Sequence, residues 1–574
     1  MRRGARTSWI GPVLALPVTA WLAVAFAAPL ATVLLLAFQP TGDSFAPLEL
    51  TPSLEQFTIV FGDSYYPRVI GETLALAVGV TLSSVLLGYP IALWLVALPP
   101  HWRPLAMSIV LIPLLTNVVV RSLGIILLLA PDGIVNGAIG AIGLPPPGNM
   151  LFTHGAVGLA LAQVFMPFMV LALYDNLAGI DHRLHEAAAS LGASRVRRFF
   201  AVTLPLSLPG LRAGISVVFL MSSTAYVSAT LLGGRKVRVI GMDVWSEALQ
   251  NLQMPLASAL AVVMLAIGVG ATVLLAAFFA RLTPWLAPTT RRPRAQRSLR
   301  PALARTLVIV GDLFGVASGR VLFVAAAALL VFPLVLVAVQ SFNDVPQATV
   351  AGFRAFTWAW YERVLFAGAY LDSFATSIQL AACAVVCTLV LALPAAFALV
   401  RHPFRGRGAL GAFWMLPLVL PHIAIGVGML RLLQWYTAVP PFVGLLLVHV
   451  VLILPFALSL LRPTVEQLDR SLEQAAASLG APPWRVFAHV VLPTIAPGLA
   501  VVAIITFLMS FGEVTLTSFL TTARMTTLPV RIYAEATFSL EPTVHAVSTL
   551  LIAATIALLA VVNRFVRLDR VWHR

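Results

Sequence analysis

Residues 184–211 read LHEAAASLGASRVRRFFAVTLPLSLPGL, and residues 472–499 read LEQAAASLGAPPWRVFAHVVLPTIAPGL. At a constant offset of 288, 16 of these 28 positions are identical. The register continues upstream, pairing Asp181 with Asp469 and Pro167-Phe168 with Pro455-Phe456. Apolar helices resemble one another by composition alone. An Ala-Ser-Leu-Gly-Ala core followed at fixed distances by Leu-Pro and Pro-Gly-Leu does not arise that way, so the chain is a tandem duplication. The repeated stretch is too polar to cross a membrane and too regular for an arbitrary loop. Glu186 to Leu191 is Ala-rich and predicts a helix, which Gly192 ends as a left-handed residue. A second short helix is expected from Arg195 to Thr203, stopped by Pro205. In the second copy Gly480 takes the terminating place, and Pro482-Pro483 sit where a new helix can start.

The sequence around these loops is that of a membrane protein. Of 574 residues, 60% are hydrophobic and 10% charged, against about 25% charged in a soluble domain. Such hydrophobicity also excludes disorder. The net charge of +15 does not signal nucleic acid, which needs a basic solvent-facing patch. Here the arginines are dealt out between long apolar runs. A spanning helix needs about 20 apolar residues. By that measure spans are expected at 9–38, 69–98, 104–130, 153–179, 208–232 and 256–283, then at 319–341, 373–400, 409–437, 441–462, 497–521 and 544–566. The expected fold is all-α and polytopic: about twelve transmembrane helices in two tandem six-helix units of parallel orientation. The apolar run from Trp9 to Phe38 is about twice the core of a signal peptide and reads as an uncleaved first span.

Arginine sets the sidedness. One set of loops holds Arg2, Arg3, Arg6 and Arg103, then Arg183, Arg195, Arg197, Arg198 and Arg212, then Arg401, Arg405 and Arg407, and finally Arg564, Arg567, Arg570 and Arg574. Residues 281–305 add seven arginines and no acid. The opposite loops carry most of the acids, among them Asp43, Glu49, Asp132, Asp243, Glu247, Asp344, Glu535 and Glu541. The Arg-rich side is expected to be cytoplasmic, with both termini on it. The domain reading is a first unit over 1–284 with its loop at 181–207, an Arg/Pro-rich cytoplasmic linker over 285–318, and a second unit over 319–574 with its loop at 464–496.

Three further counts narrow the function. Lys236 is the only lysine and follows an arginine, so no Gly-Lys-Ser/Thr phosphate loop exists on this chain. Cys383 and Cys387 are read as buried free thiols, because two ligands at that spacing make no metal site. No HExxH or GxSxG signature is present, so no catalytic residue, resident cofactor or metal is expected.

The repeated loop has two readings: an amphipathic segment that merely anchors the next span, or a docking element for a cytoplasmic partner with two equivalent faces. Retention of the motif in both halves favours docking. The Glu-Ala-Ala…Gly pattern at 186–192 and its partner at 474–480 resemble the EAA loop of permease subunits in bacterial binding-protein-dependent ABC importers, and the resemblance covers both halves. It implies a type I importer permease in the bacterial inner membrane, with one chain supplying both permease halves. It also implies two copies of a separate cytoplasmic ATPase that bind ATP and Mg, and a periplasmic substrate-binding protein. Carried over residue by residue, the coupling set is Glu186, Ala187, Ala188, Gly192, Arg195 and Arg197 in the first loop. In the second loop it is Glu473, Gln474, Ala475, Gly480 and Arg485. Gln474 replaces the usual Glu, with Glu473 one place earlier, so coupling is expected to be asymmetric.

For the cargo, the run from Leu115 through Asn117 to Arg121 and the long outer loop Asp132 to Met150 resemble the first permease of spermidine/putrescine-type importers. The stretches Glu513 to Phe519 and Thr526 to Tyr533 are similar to the second. Asn117, Arg121, Tyr226, His422, Glu513 and Thr517 are the pathway candidates. An ionisable group at the depth of Glu513 is costly unless it pairs or lines a path. A carboxylate there suits an amine cation; a helix–helix hydrogen bond or a pair with Arg121 or Arg431 is the structural alternative. Gly512-Glu513 and Pro421-His422 stand where the polyamine family often carries further acids, which would suit a less cationic cargo such as an aminophosphonate. Ferric iron and thiamine remain open. An ion-coupled secondary transporter is the remote alternative. Glu513, His422 and His449 are too few and scattered for that chemistry, and such a transporter has no need of duplicated docking loops.

Overall fold

The computed structural model describes residues 9–40, 52–282, 316–366 and 368–566. The linker reading over 285–318 therefore falls outside the described residues except for 316–318, as do Arg2, Arg3, Arg6, Arg567, Arg570, Arg574, Asp43 and Glu49. Among the described residues the chain is helical, with two isolated bridges (Asn343 with Phe356, Thr522 with Met525) and no strand. Among the described residues ten helices are long and apolar enough to cross a membrane, and Arg407–Val419 with His422–Trp435, bent at 94°, makes an eleventh if the pair is one broken span. The helix Thr543–Val566 follows as the last of the second set.

Four expected spans are not continuous. The third, expected at 104–130, is Arg103–Leu115 and Val118–Leu129, parted at Thr116 (ψ 144°). The ninth breaks at Leu420 (ψ 147°), and its two parts meet at 94°. Leu420 precedes Pro421, whose ring disfavours helical ψ in the residue before it. The fifth ends at Thr224 and resumes at Val227–Gly233, and the eleventh ends at Phe511 and resumes at Thr517–Leu520. Third with ninth and fifth with eleventh are the same positions of the duplicated unit, so the unit itself carries two broken helices.

Lipid gives apolar helices no hydrophobic reason to associate, so close packing at small residues and internal polar contacts must hold them. The first span of each half packs on the other unit as well as on the sixth helix of its own. A Cβ added to Gly428 would stand 2.1 Å from the Pro29 carbonyl oxygen, and one added to Gly124 would stand 2.3 Å from that of Pro333. These pairs correspond at an offset of 304, as do Pro90 and Pro394. Trp414 Nε1 donates to Thr19 Oγ1 (3.2 Å), and Gln163 Nε2 donates to the Leu329 carbonyl (3.2 Å). The helices after the breaks are seated in matching fashion. Ile240 N donates to Thr73 Oγ1 (3.0 Å), and Leu528 N donates to Ser377 Oγ (2.8 Å). At the outer ends, Asp132 Oδ2 accepts from the backbone of Ala351 (3.0 Å) and Gly352 (2.9 Å), tying the two halves again.

Two smaller expectations change. Pro205 does not stop a helix: Arg195–Arg198 runs through a π-turn, Phe199–Thr203, into Leu204–Thr224. Proline stands there within the first two positions of the new α segment, where its missing N–H costs nothing. Cys383 is exposed on the side of its span and Cys387 half-buried, both as free thiols. A membrane helix can present such small apolar groups to lipid instead of to a core.

Candidate functional site

The two repeated loops fold alike. Asp181 and Asp469 cap their helices, accepting from Arg183 N (2.9 Å) and Ser471 N (2.8 Å). That bond holds the Asp469 carboxyl below the usual carboxylate range. The helices His182–Ser190 and Arg470–Ser478 follow. Each ends in a Schellman motif. Gly192 N donates to Ala189 O (2.9 Å) and Ala193 N to Ala188 O (3.0 Å). Gly480 N donates to Ala477 O (3.0 Å) and Ala481 N to Ala476 O (3.2 Å). Gly192 has φ +76° and Gly480 φ +81°, the left-handed region that glycine enters without strain. The sequence turn chemistry thus predetermines both bends.

Neither helix buries a residue completely. Glu186, Ala187, Gly192, Arg195 and Arg197 lie exposed, with Ala188 turned inward; Gln474, Ala475, Gly480 and Arg485 lie exposed, with Glu473 turned inward. Glu186 pairs with His182 one turn before it (3.2 Å). Glu473 lies 3.4 Å from Arg401 at the end of the eighth span, and Arg401 also donates to the Leu468 carbonyl (2.6 Å). Glu473 therefore fastens its loop to the bundle instead of standing in for the missing Glu at 474. Ala476 and Ala481 pack on a small apolar cluster of Leu468, Val486, Val491 and Ile495 beneath the loop. Burial keeps the His185 imidazole below its ordinary range, with His182 and Arg198 adding to the effect.

The most exposed apolar side chains of both loops were not among the candidates. Leu191 is 87% exposed and Leu479 is 88% exposed. The signal was present as the leucine just before each terminating glycine, at the C-cap of a helix whose last turn is alanine and serine. With nothing of its own chain to pack on, it is a knob presented outward.

The broken helices build the second part of the site. Asn117 caps Val118–Leu129 by accepting from Val119 N (2.7 Å), and it donates across the halves to the Gly512 carbonyl at the eleventh-span break (2.8 Å). Tyr226, in the fifth-span break, is 1% exposed. Its hydroxyl shares a hydrogen bond with Ser518 of the other half (2.6 Å), and its ring meets Tyr533 edge-on at 6.2 Å. Glu513 is half-buried and accepts from Leu516 N (2.6 Å), closing the turn of the break; among the described residues it makes no ion pair with Arg121. Thr517 is buried and bonded to His449 Nε2 (3.0 Å), while His449 Nδ1 reaches Ser510 (2.8 Å). His449 thus bridges the break from the tenth span. His422 opens the second part of the ninth span, half-buried, beside Ile423, which packs against Gly241 in contact with Tyr226.

Arg121 lies one turn beyond Asn117, 4% exposed, and its Nε and Nη1 have no hydrogen-bond partner among the described residues. Arg431 lies over the Trp435 ring at 4.8 Å. Asn117, Tyr226, Glu513 and Thr517 are thus drawn to one junction between the halves, with His422 at its edge. Ser510, Ser518 and Tyr533 join them; Ser518 and Tyr533 lie in the two stretches that carry the resemblance, whereas Ser510 is a single hydroxyl in an apolar run with no periodic signal to select it. No group of three or more His, Cys, Asp or Glu side chains suited to a metal occurs among the described residues.

Comparison with known proteins agrees with this architecture. The family described as "Binding-protein-dependent transport system inner membrane component" matches residues 70–292 and again 388–568. The chain is 36% identical over 236 residues to the spermidine/putrescine transport system permease protein PotB of Haemophilus influenzae, which covers 41% of this chain and 79% of that protein. It is 30% identical over 229 residues to the putrescine transport system permease protein PotI of Escherichia coli (39% of this chain, 81% of that one). A probable ABC transporter permease, y4fN of Sinorhizobium fredii, is similar across both halves, at 27% identity over 471 residues and 79% of each chain. With the family unit present twice around two equivalent exposed loops, the chain belongs to the binding-protein-dependent inner membrane permeases and carries two permease units on one polypeptide.

Proposed function

We propose that this permease moves a small amine-bearing solute of the polyamine type from periplasm to cytoplasm by alternating access. Two copies of a separate ATPase would dock on residues 181–207 and 464–496. The observation that carries the reading is the pair of loops: identical caps, identical left-handed glycines and an exposed leucine at each tip, on one chain, form two seats for one kind of partner. ATP-driven closure of the ATPase pair pushes the loops together, and the halves rock about the junction of broken helices. Asn117–Gly512 and Tyr226–Ser518 are bonds that such rocking must break and remake. A periplasmic binding protein delivers the cargo at the opposite face, both termini lie on the arginine-rich cytoplasmic side, and ATP and Mg are held by the ATPase. The names of PotB and PotI support a polyamine cargo, and Glu513 at the junction supplies a carboxylate for its ammonium.

The test is uptake of labelled spermidine or putrescine into proteoliposomes holding this chain, its ATPase and its binding protein. Uptake that requires ATP and falls with Glu513→Gln supports the reading; uptake driven by an ion gradient without ATP overturns it. A second reading, a zwitterionic cargo such as an aminophosphonate, is favoured by Arg121, whose buried guanidinium leaves two nitrogens unpaired. Competition by an aminophosphonate and not by spermidine would select it.

A further inference from the structure

We infer that a lateral groove on the first half is a binding site for one acyl chain of a phospholipid whose headgroup carries a primary ammonium. The groove lies between the second and fourth spans, has a volume of about 580 Å³, and is closed at its floor by Leu329 of the seventh span, which comes from the other half. Its lining is almost wholly apolar, including Leu76, Gly79, Val80, Gly158 and Ala162. From Ala75 to Leu87 it follows twelve residues of helix, or about 18 Å at 1.5 Å per residue. That is a little over half of the ~30 Å hydrocarbon thickness, the depth of one leaflet's tails. Within the membrane belt such a cleft meets neither water nor protein, and left empty it would forfeit the contacts of every atom lining it.

One end carries the polar groups a headgroup needs. His154 Nε2 lies 3.6 Å from Glu72 Oε2, both partly exposed. Glu72, one turn before Ala75, can accept from an ammonium, and the His154 ring can donate to the phosphate beside it. The sister half, at the corresponding positions, has Thr376 and Phe442 for Glu72 and His154. It has Cys383, Val443 and Leu446 for Gly79, Gly155 and Gly158. The duplication therefore keeps the helices and replaces the small residues and the polar pair in one copy. In the groove a Cβ on Gly79 would meet nothing within 4 Å, and on Gly158 only Leu76 at 3.7 Å. The glycines are thus not required by their own backbone packing; their smallness creates the space.

The test is native mass spectrometry of the full chain with its ATPase, purified in mild detergent from membranes containing phosphatidylethanolamine and phosphatidylglycerol. One retained phospholipid per chain is expected, enriched in phosphatidylethanolamine over its share of the membrane. Gly79→Cys/Gly155→Val/Gly158→Leu, which imports the sister residues, should lower its occupancy by at least about tenfold, since several methylenes lose their seat. Glu72→Gln should keep a bound phospholipid and lose the preference for phosphatidylethanolamine, a readout that stands even if the triple variant fails to assemble. A wild-type complex without a retained lipid, retention unchanged in an assembled triple variant, or a wild-type adduct without headgroup preference each overturns the proposal.

Discussion

Leu191 and Leu479 offer the sharpest test of the docking loops. Each is almost fully exposed, at 87% and 88%, in a protein whose other exposed apolar side chains are mostly on spans. Burying a leucine fully stabilises an interface by ~1.5–3 kcal/mol. Nearly all of that is still available at each tip, and Leu→Ala removes most of it, about 1.5 kcal/mol or roughly tenfold in affinity per loop. Each loop seats its own ATPase copy, so the two losses fall on two separate binding events. Leu191→Ala/Leu479→Ala is then expected to weaken the affinity of each ATPase copy about tenfold. The assay is titration of the nanodisc-reconstituted chain with its labelled ATPase, read by fluorescence anisotropy. Val390→Ala, on a span surface that is 66% exposed, serves as control and should change nothing. Because neither leucine packs on its own chain, folding and insertion should be normal. A correctly inserted double variant that binds the ATPase within threefold of wild type would refute the reasoning that these tips are seats.

Other consequences follow from the same geometry. At Gly192 an added Cβ touches nothing within 4 Å, so Gly192→Ala should cost only its left-handed backbone, about 1–2 kcal/mol. Substrate-stimulated ATPase activity should fall in Gly192→Ala and recover in part in Gly192→Asn, which tolerates that conformation. Gly124→Ala and Gly428→Ala instead drive a Cβ into a backbone carbonyl. Each should cost at least ~1–3 kcal/mol, seen as a lower unfolding temperature in detergent, while Gly79→Ala leaves it unchanged. Arg401→Ala frees both Glu473 and the Leu468 carbonyl. Hydrogen exchange should rise in residues 470–480 and stay constant in 182–192, which lack this clamp. Tyr226→Phe removes the cross-half bond to Ser518 without changing the packing. Basal ATPase activity of the complex is expected to change while the unfolding temperature stays within a few degrees.

What the sequence determined by itself is whatever rests on local chemistry. The repeat, the helix stops at Gly192 and Gly480, and the number and order of apolar segments are all read from residues a few places apart. A left-handed glycine acts on its own turn, so its residue type is enough. The breaks in four spans were only half legible. Pro421 points to one, but Thr116-Asn117 and the hydroxyl-rich stretch around Ala225-Tyr226 still fall within runs long and apolar enough to read as single spans, because hydropathy measures transfer into lipid and is blind to a change in ψ.

Tertiary structure alone decided the rest. The crossing of each first span onto the other half depends on Gly124 against Pro333 and Gly428 against Pro29. Nothing in either segment alone states that preference, since lipid solvates every apolar face equally well. It likewise decided that Glu473 is held by Arg401, and that Asn117 and Tyr226 reach across to Gly512 and Ser518. These contacts join residues far apart in the chain. Their energies come from polar groups finding partners where water is absent, and which partner is within reach is set only once the helices have packed.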